Sequence, residues 1–265
     1  MIDQNSPLEL IQEKPVKFLT LSNNELKTLP EEIGDLNDVE FLSLQGNKLT
    51  SIPSAVHSLH ILKALDISNN TILRLPDEIC QLENITHLNS SNNKLKHLPS
   101  AFGELTTLEI LILNGNRLTS LPESFGCLKN ITLNLSGNKI VSLPKRLSQL
   151  KILKVLSLNS NNLTTLPSEL FCLTNIEELN LCRNQLTLIP DDLHHVRAVQ
   201  VLDLSDNQIG RVPSEIRGLR ELKDLNLSNN QFFLFPVKVC DLRSLEKLKI
   251  CHRRGIKTKE NKRYD

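Results

Sequence analysis

Aromatic residues are scarce in this chain: they make up 3% of its 265 positions, with no Trp and one Tyr. A core built around large rings is therefore excluded, and leucine has to fill the interior. No run of about 18 apolar residues occurs, so no membrane-spanning helix is expected. The opening stretch "MIDQNSPLELIQEKP" is polar and holds no apolar segment of signal-peptide length. The cysteines (Cys80, Cys127, Cys172, Cys182, Cys240, Cys251) are scattered singly, without metal-ligand spacing and without a cluster at either end. That pattern reads as reduced thiols in a cytoplasmic or nuclear protein. The formal net charge is +1, too balanced for a field built to attract nucleic acid. Gly-rich phosphate loops, HExxH and GxSxG are all missing, and nothing marks a general acid–base pair. No catalysis, cofactor or metal is therefore expected. The adjacent His194 and His195 sit at i, i+1, which sends them in different directions as solvated side chains rather than ligands of one ion.

What is present is a period. Asn24, Asn47, Asn70, Asn93 and Asn116 recur every 23 residues; Asn138 follows 22 later, and Asn161, Asn184, Asn207 and Asn230 resume the step of 23. Six residues after each stands a proline: Pro30, Pro53, Pro76, Pro99, Pro122, Pro144, Pro167, Pro190, Pro213 and Pro236. Ten of the 12 prolines are thus in phase, which means a solenoid of stacked units.

Each unit reads LxxLxLxxNxLxxLP, as in "LKALDISNNTILRLP" from Leu62 to Pro76, and so resembles the leucine-rich repeat over about residues 16–250. The expected architecture is an α/β right-handed horseshoe, with a concave parallel sheet and an irregular, short-helical convex side. The xLxL portion becomes a strand with its leucines pointing inward, and the Asn amide satisfies backbone groups where the chain turns. Proline fixes φ where no strand hydrogen bond is needed, and apolar residues such as Ile33 and Leu36 close the convex side. One unit cannot bury its own leucines, so neighbours share a continuous core. Ten strands at roughly 4.8 Å make an arc of about 50 Å.

The organisation expected is a short N-terminal cap over residues 1–15, with Leu8, Leu10 and Ile11 covering the first coil. Ten full repeats and a half repeat follow over 16–251, then a basic tail over 252–265. Arg253 stands where the next ladder Asn belongs, so the chain reads as a shortened form of a longer protein. Two units depart from the pattern. Ser90 takes a core position held by Ile67 and Leu113 in neighbouring units, which reads as a polar defect satisfied by a backbone hydrogen bond. In "CLKNITLNLSGN" one residue is missing between Ile131 and Leu133 relative to "LENITHLNSSN", and this should alter the concave surface locally. The N-x-S/T sequons at Asn84, Asn130 and Asn226 fall out of the repeat consensus and read as by-products. "KPVKF" at Lys14–Phe18 fits the K-x-V-x-F pattern of protein phosphatase 1 docking. Its proline and the core role of Val16 both count against that use.

Function in a repeat protein lies in the positions the consensus leaves free. The residue before the second strand leucine runs Phe18, Phe41, Ala64, His87, Ile110, the deletion, Val155, Glu178, Val201, Asp224 and Lys247. The residue after it runs Thr20, Ser43, Asp66, Asn89, Ile112, Asn134, Ser157, Asn180, Asp203, Asn226 and Lys249. Phe18, Phe41, Ile110, Ile112 and Val155 read as apolar anchors, with Asp66 and His87 supplying flanking polar contacts. Glu178, Arg183, Asp203, Asp206 and Asp224 form a charged zone, whose acids would select a basic partner surface. On this reading Ile110 and Ile112 face outward, so lysine at both should leave the melting curve nearly unchanged. No aromatics are interleaved with a basic face on the coils, so nucleic acid is not the expected partner.

The 23-residue unit with "LPxxIxxL" is similar to the intracellular Ras-group leucine-rich repeats, the Shoc/Scribble/Erbin-like class. "LSNNQFFLFPVKVCDLRSLEKLKI" looks most like the leucine-rich repeat and IQ-motif proteins. The resemblance implies a scaffold or adaptor that holds a partner protein, such as a small GTPase, kinase or phosphatase, in intracellular signal transduction. A regulatory subunit of a phosphatase or GTPase complex is the first alternative. An extracellular receptor ectodomain is the second, and it would need a signal peptide and disulfide caps.

Overall fold

The computed structural model describes residues 15–129 and 131–251. Each coil contributes one three-residue strand: β1 (Phe18–Thr20), β2 (Phe41–Ser43), β3 (Ala64–Asp66), β4 (His87–Asn89), β5 (Ile110–Ile112), β6 (Thr132–Asn134), β7 (Val155–Ser157), β8 (Glu178–Asn180), β9 (Val201–Asp203), β10 (Asp224–Asn226) and β11 (Lys247–Lys249). They lie side by side in chain order in a single sheet, and the pairing is parallel from end to end. The terminal half unit "LEKLKI" therefore makes an eleventh strand where ten were expected. The register sets leucine beside leucine, with Leu65 opposite Leu88, Leu111 opposite Leu133 and Leu156 opposite Leu179. Each central leucine points inward, and those of β2 to β10 are fully buried, contributing roughly 1.5–3 kcal/mol apiece.

The asparagines do what their periodicity demands. Asn93 donates from Nδ2 to the Ile67 carbonyl of the preceding coil (2.9 Å) and to the Ser90 carbonyl of its own (3.2 Å), and its Oδ1 accepts from the Ile72 amide (2.9 Å). The same triad repeats at Asn161 and Asn207. A buried turn whose N–H and C=O groups would otherwise be orphaned is thereby satisfied from within. The residue before each ladder Asn is left-handed: Asn69, Asn92, Ser160 and Arg183 have φ between 53° and 57° and Gly115 has 69°. Asn and Gly take that conformation at little cost, so the Asn-Asn and Gly-Asn pairs in the sequence announce the turn.

Each in-phase proline then starts the convex segment. Pro76 (φ −67°, ψ 150°) precedes the 3-10 turn Asp77–Gln81, and its carbonyl accepts from the Ile79 amide at 3.2 Å. Similar turns line the convex side from Glu31–Asp35 to Val237–Asp241. Two of the few aromatics serve this side as a pair: Phe102 and Phe125 are fully buried with rings stacked at 6.1 Å and 9°. Next to them Gly103 is obligatory, because a Cβ there would overlap the Ser124 carbonyl oxygen.

The deletion is absorbed before β6. Leu128 is extended (ψ 138°), whereas Leu105 and Leu150 have ψ of 57° and 59°. Thr132 takes the place opposite Ile110, and between β6 and β7 only Leu133–Leu156 and Asn134–Ser157 pair. Ser90 corrects an expectation. Its hydroxyl is fully buried and has no hydrogen-bond partner, while its carbonyl accepts from both Asn93 and Asn116. The proposed cap residues Leu8, Leu10 and Ile11, the tail with Arg253, and Asn130 lie outside the described residues. At the other end Phe233, Leu234, Phe235 and Val237 are exposed. No described helix is long and apolar enough to cross a membrane.

Candidate partner-binding face

Because the inward position of each strand is a leucine, the flanking two residues stand on the open face of the sheet, and parallel pairing lines them up in columns. Phe18, 74% exposed, and the half-buried Phe41 sit opposite each other, their rings 6.2 Å apart and tilted by 36°. The exposed His87 is next but one, with Nδ1 2.8 Å from the Thr86 hydroxyl. Ile110 lies between His87 and Thr132, and Ile112 between Asn89 and Asn134. Both isoleucines are half-buried rather than fully outward, since side chains in neighbouring strands close over their flanks. Val155 and Val201 follow, 38% and 39% exposed, on either side of the exposed Glu178. Val201 was visible in the column but was not singled out as an anchor; the structure adds it.

The charged zone is more committed to the fold than its sequence suggests. Asp203 Oδ1 accepts from the Ser205 amide (2.9 Å) and hydroxyl (2.6 Å), and Oδ2 from Asn226 (3.2 Å). Asp66 mirrors it, accepting from the Ser68 amide (2.9 Å) and from Asn89 (3.2 Å). Each is an Asx turn capping the end of its strand. Arg183 approaches Asp206 at 3.9 Å, and Lys247 approaches Asp224 at 3.8 Å. Among the described residues neither Glu178 nor Asp203 has an ion pair, and since Asp203 is spent on its Asx turn, Glu178 is the more available acid of this zone. The sequence reading missed a further column, one residue ahead of the strands. There Glu40 bridges Lys17 (2.9 Å) and Lys63 (2.8 Å), and Lys154 meets Glu177 at 2.9 Å. The Lys63 and Lys17 ammoniums hold the Glu40 carboxyl down at about 2.

Three readings from the sequence resolve here. Val16 is half-buried and packs on the core, so "KPVKF" cannot present its valine. His194 and His195 do not diverge: their rings lie 3.9 Å apart, each Nδ1 close to a carbonyl of its own turn. Among the described residues no group of three or more side chains could hold a metal. The sequon amides are engaged, Asn84 with the His60 carbonyl and Asn226 with Asp203. Every cysteine is a free thiol; burial pushes Cys80 up to about 11, helped by Glu104 and Asp77, and burial likewise raises Cys182.

A leucine rich repeat profile matches residues 90–140, 131–186, 151–209 and 174–232, and a leucine-rich repeat region profile matches residues 6–93. No curated protein sequence matches the chain. Among solved structures, a leucine-rich repeat protein of Leptospira interrogans is 34% identical, covers 92% of this chain and 69% of its own, and has a TM-score of 0.74. The ectodomain of the Arabidopsis thaliana receptor kinase GASSHO1/SCHENGEN3, solved with CASPARIAN STRIP INTEGRITY FACTOR 2, is 29% identical at a TM-score of 0.73. The match covers 88% of this chain and 32% of that ectodomain, so the chain spans about a third of its length. A chain of the octameric complex of Latrophilin 3, Unc5D and FLRT2 is 26% identical, with coverage of 89% and 74% and a TM-score of 0.73. The open parallel sheet backed by 3-10 turns is thus the leucine-rich repeat horseshoe.

Proposed function

Because the chain belongs to the leucine-rich repeat family, whose repeats generally mediate protein–protein interaction, we propose that it is a non-catalytic scaffold or adaptor that seats one partner protein on the concave sheet. The observation that carries this is the column in which Phe18, Phe41, Ile110, Val155 and Val201 stand on one open face, set in line by parallel pairing and interspersed with Ala64, His87, Thr132 and Glu178. Such anchors gain affinity by desolvation, and Ile112 widens the patch at its centre. Glu178, with Arg183, Asp203 and Asp224 beside it, sets the charge that a partner must match, while Asp66 and His87 offer polar contacts near the N-terminal anchors.

The 23-residue LPxxIxxL unit supports the Ras-group, Shoc/Scribble/Erbin-like assignment, and the scattered free thiols support a cytoplasmic protein working in signal transduction. A small GTPase, kinase or phosphatase fits as partner, and a regulatory subunit of such a complex is the same geometry with a kinetic consequence. The likeness to a plant receptor ectodomain favours a second reading, an extracellular module that binds a ligand on the same face. Photo-cross-linking tests the placement: a benzoylphenylalanine at position 155 should give a discrete adduct in lysate, and one at the convex position 238 should not. Adducts from 238 and none from 155 would refute it.

A further inference from the structure

A second surface lies on the rim of the solenoid, where each convex 3-10 turn hands over to the next strand. The first residue of that handover turn runs Asn37, His60, Glu83 and Thr106 in the N-terminal half, then Lys129, Lys151, Thr174, Arg197, Arg220 and Arg243. The coils were expected to carry no basic face; stacking shows that one rim of the C-terminal half does, with one position per coil in phase. All six of these side chains are exposed. Two grooves open along this rim. Lys151, Thr174 and Arg197 line one of about 650 Å³, and Arg217, Arg220 and Arg243 line one of about 960 Å³.

Two features show that the charge is presented rather than merely solvated. First, the backbone beneath part of it is fixed by the second residue of the turn in the next coil. Asn175 donates to the Lys151 carbonyl at 2.7 Å, Ser244 donates to the Arg220 carbonyl, and Asn84 makes the same bond to His60 at 2.7 Å. Secondly, of the two acids that share the first groove, Glu169 is already matched with Lys145 at 3.2 Å, which leaves Asp192 beside His195. No ion pair among the described residues involves Arg197, Arg217, Arg220 or Arg243. Asp241 is the acid left in the second groove.

Like charges stacked at roughly 5 Å, the strand spacing, repel one another until an anion lies across them. We infer that this rim is a second docking surface, separate from the concave face, for an extended acidic polypeptide segment. From Lys129 to Arg243 there are five coil steps, roughly 24 Å, which about seven or eight extended residues span. Guanidinium forks favour carboxylates presented singly along such a strand. Among the described residues no exposed aromatic side chain stands on the rim to stack bases, which disfavours single-stranded nucleic acid.

The test is fluorescence anisotropy with a labelled oligoglutamate peptide and the full chain. Wild type should bind in a salt-dependent way. Arg197→Glu/Arg220→Glu/Arg243→Glu should weaken binding by about tenfold or more, summing three exposed pairs. The corresponding triple glutamine variant should fall between, and Ile110→Lys/Ile112→Lys should bind as wild type does. Melting by circular dichroism checks that each variant is folded. The inference fails if wild type does not bind the peptide, or if the charge-reversed chain binds it equally. It fails too if oligothymidylate or phosphatidylserine vesicles bind where oligoglutamate does not.

Discussion

The side-chain amide of Asn116 donates to the backbone carbonyl of Ser90 at 2.9 Å, and Asn93 donates to the same oxygen, yet the Ser90 hydroxyl beside it is buried without a hydrogen-bond partner. An orphan hydroxyl costs about 1–3 kcal/mol, and the equivalent positions hold Ile67 and Leu113. Ser90→Val should therefore stabilise the protein by about 1–2 kcal/mol, raising the thermal midpoint by several degrees. Equal or lower stability in a thermal melt would show that the hydroxyl is satisfied after all.

The ladder asparagines should behave unequally. Asn161→Ala removes bonds to the Leu135 and Leu158 carbonyls and to the Ile140 amide, stranding buried backbone groups at a cost of about 3 kcal/mol or more. Asn24 is exposed, and among the described residues it bonds only within its own coil, so Asn24→Ala should cost less than about 1 kcal/mol. Urea denaturation of both variants reads the contrast.

The Glu40 bridge gives a pH signature. Its folded-state pKa of about 2 lies below the ordinary 4.5, so its contribution to stability is present above pH 4.5 and is lost as pH falls from there towards about 2. Carboxyl chemical shifts followed by NMR should show Glu40 titrating near the bottom of that window. Lys63→Ala should move it upward, and Lys17→Ala should do so less.

Coil phase, the inward leucines and the Asn ladder were legible because each is a residue type fixed at one register by a backbone need. The left-handed turn was equally legible, in the Asn or Gly before the ladder Asn, and went unread. Partial burial was not: the strands on either side of Ile110 and Ile112 come from residues 23 positions before and 22 after, which no local window contains. The commitment of Asp66 and Asp203 to Asx turns hides for a different reason: the bond to the residue two on is local, but a carboxylate ready to bind a partner and one capping a strand look identical in sequence. The basic rim is spread one residue per coil and becomes a surface only on stacking.

Thiol chemistry separates the two settings proposed for the chain. Under native conditions a maleimide should modify the exposed Cys127, Cys172, Cys240 and Cys251 first, Cys182 slowly and the buried Cys80 last, as the raised thiol pKa values of the latter two require. Denatured without reductant, the chain should show all 6 cysteines as thiols. A smaller count would favour the disulfide-capped ectodomain.

The central claim is that a partner sits on the apolar column of the concave sheet, and differential capture from lysate tests it most directly. The baits are wild type, Ile110→Lys/Ile112→Lys, and Val155→Glu/Val201→Glu, compared by mass spectrometry. The isoleucine pair is half-buried, so that variant should melt a few degrees lower rather than unchanged, and the valine variant, which sets carboxylates on either side of Glu178 and beside Asp224, should also melt somewhat lower while staying folded. The account predicts a protein retained by wild type and lost from both folded variants. Retention of the same proteins by all three baits would contradict it and remove the concave column as the binding site.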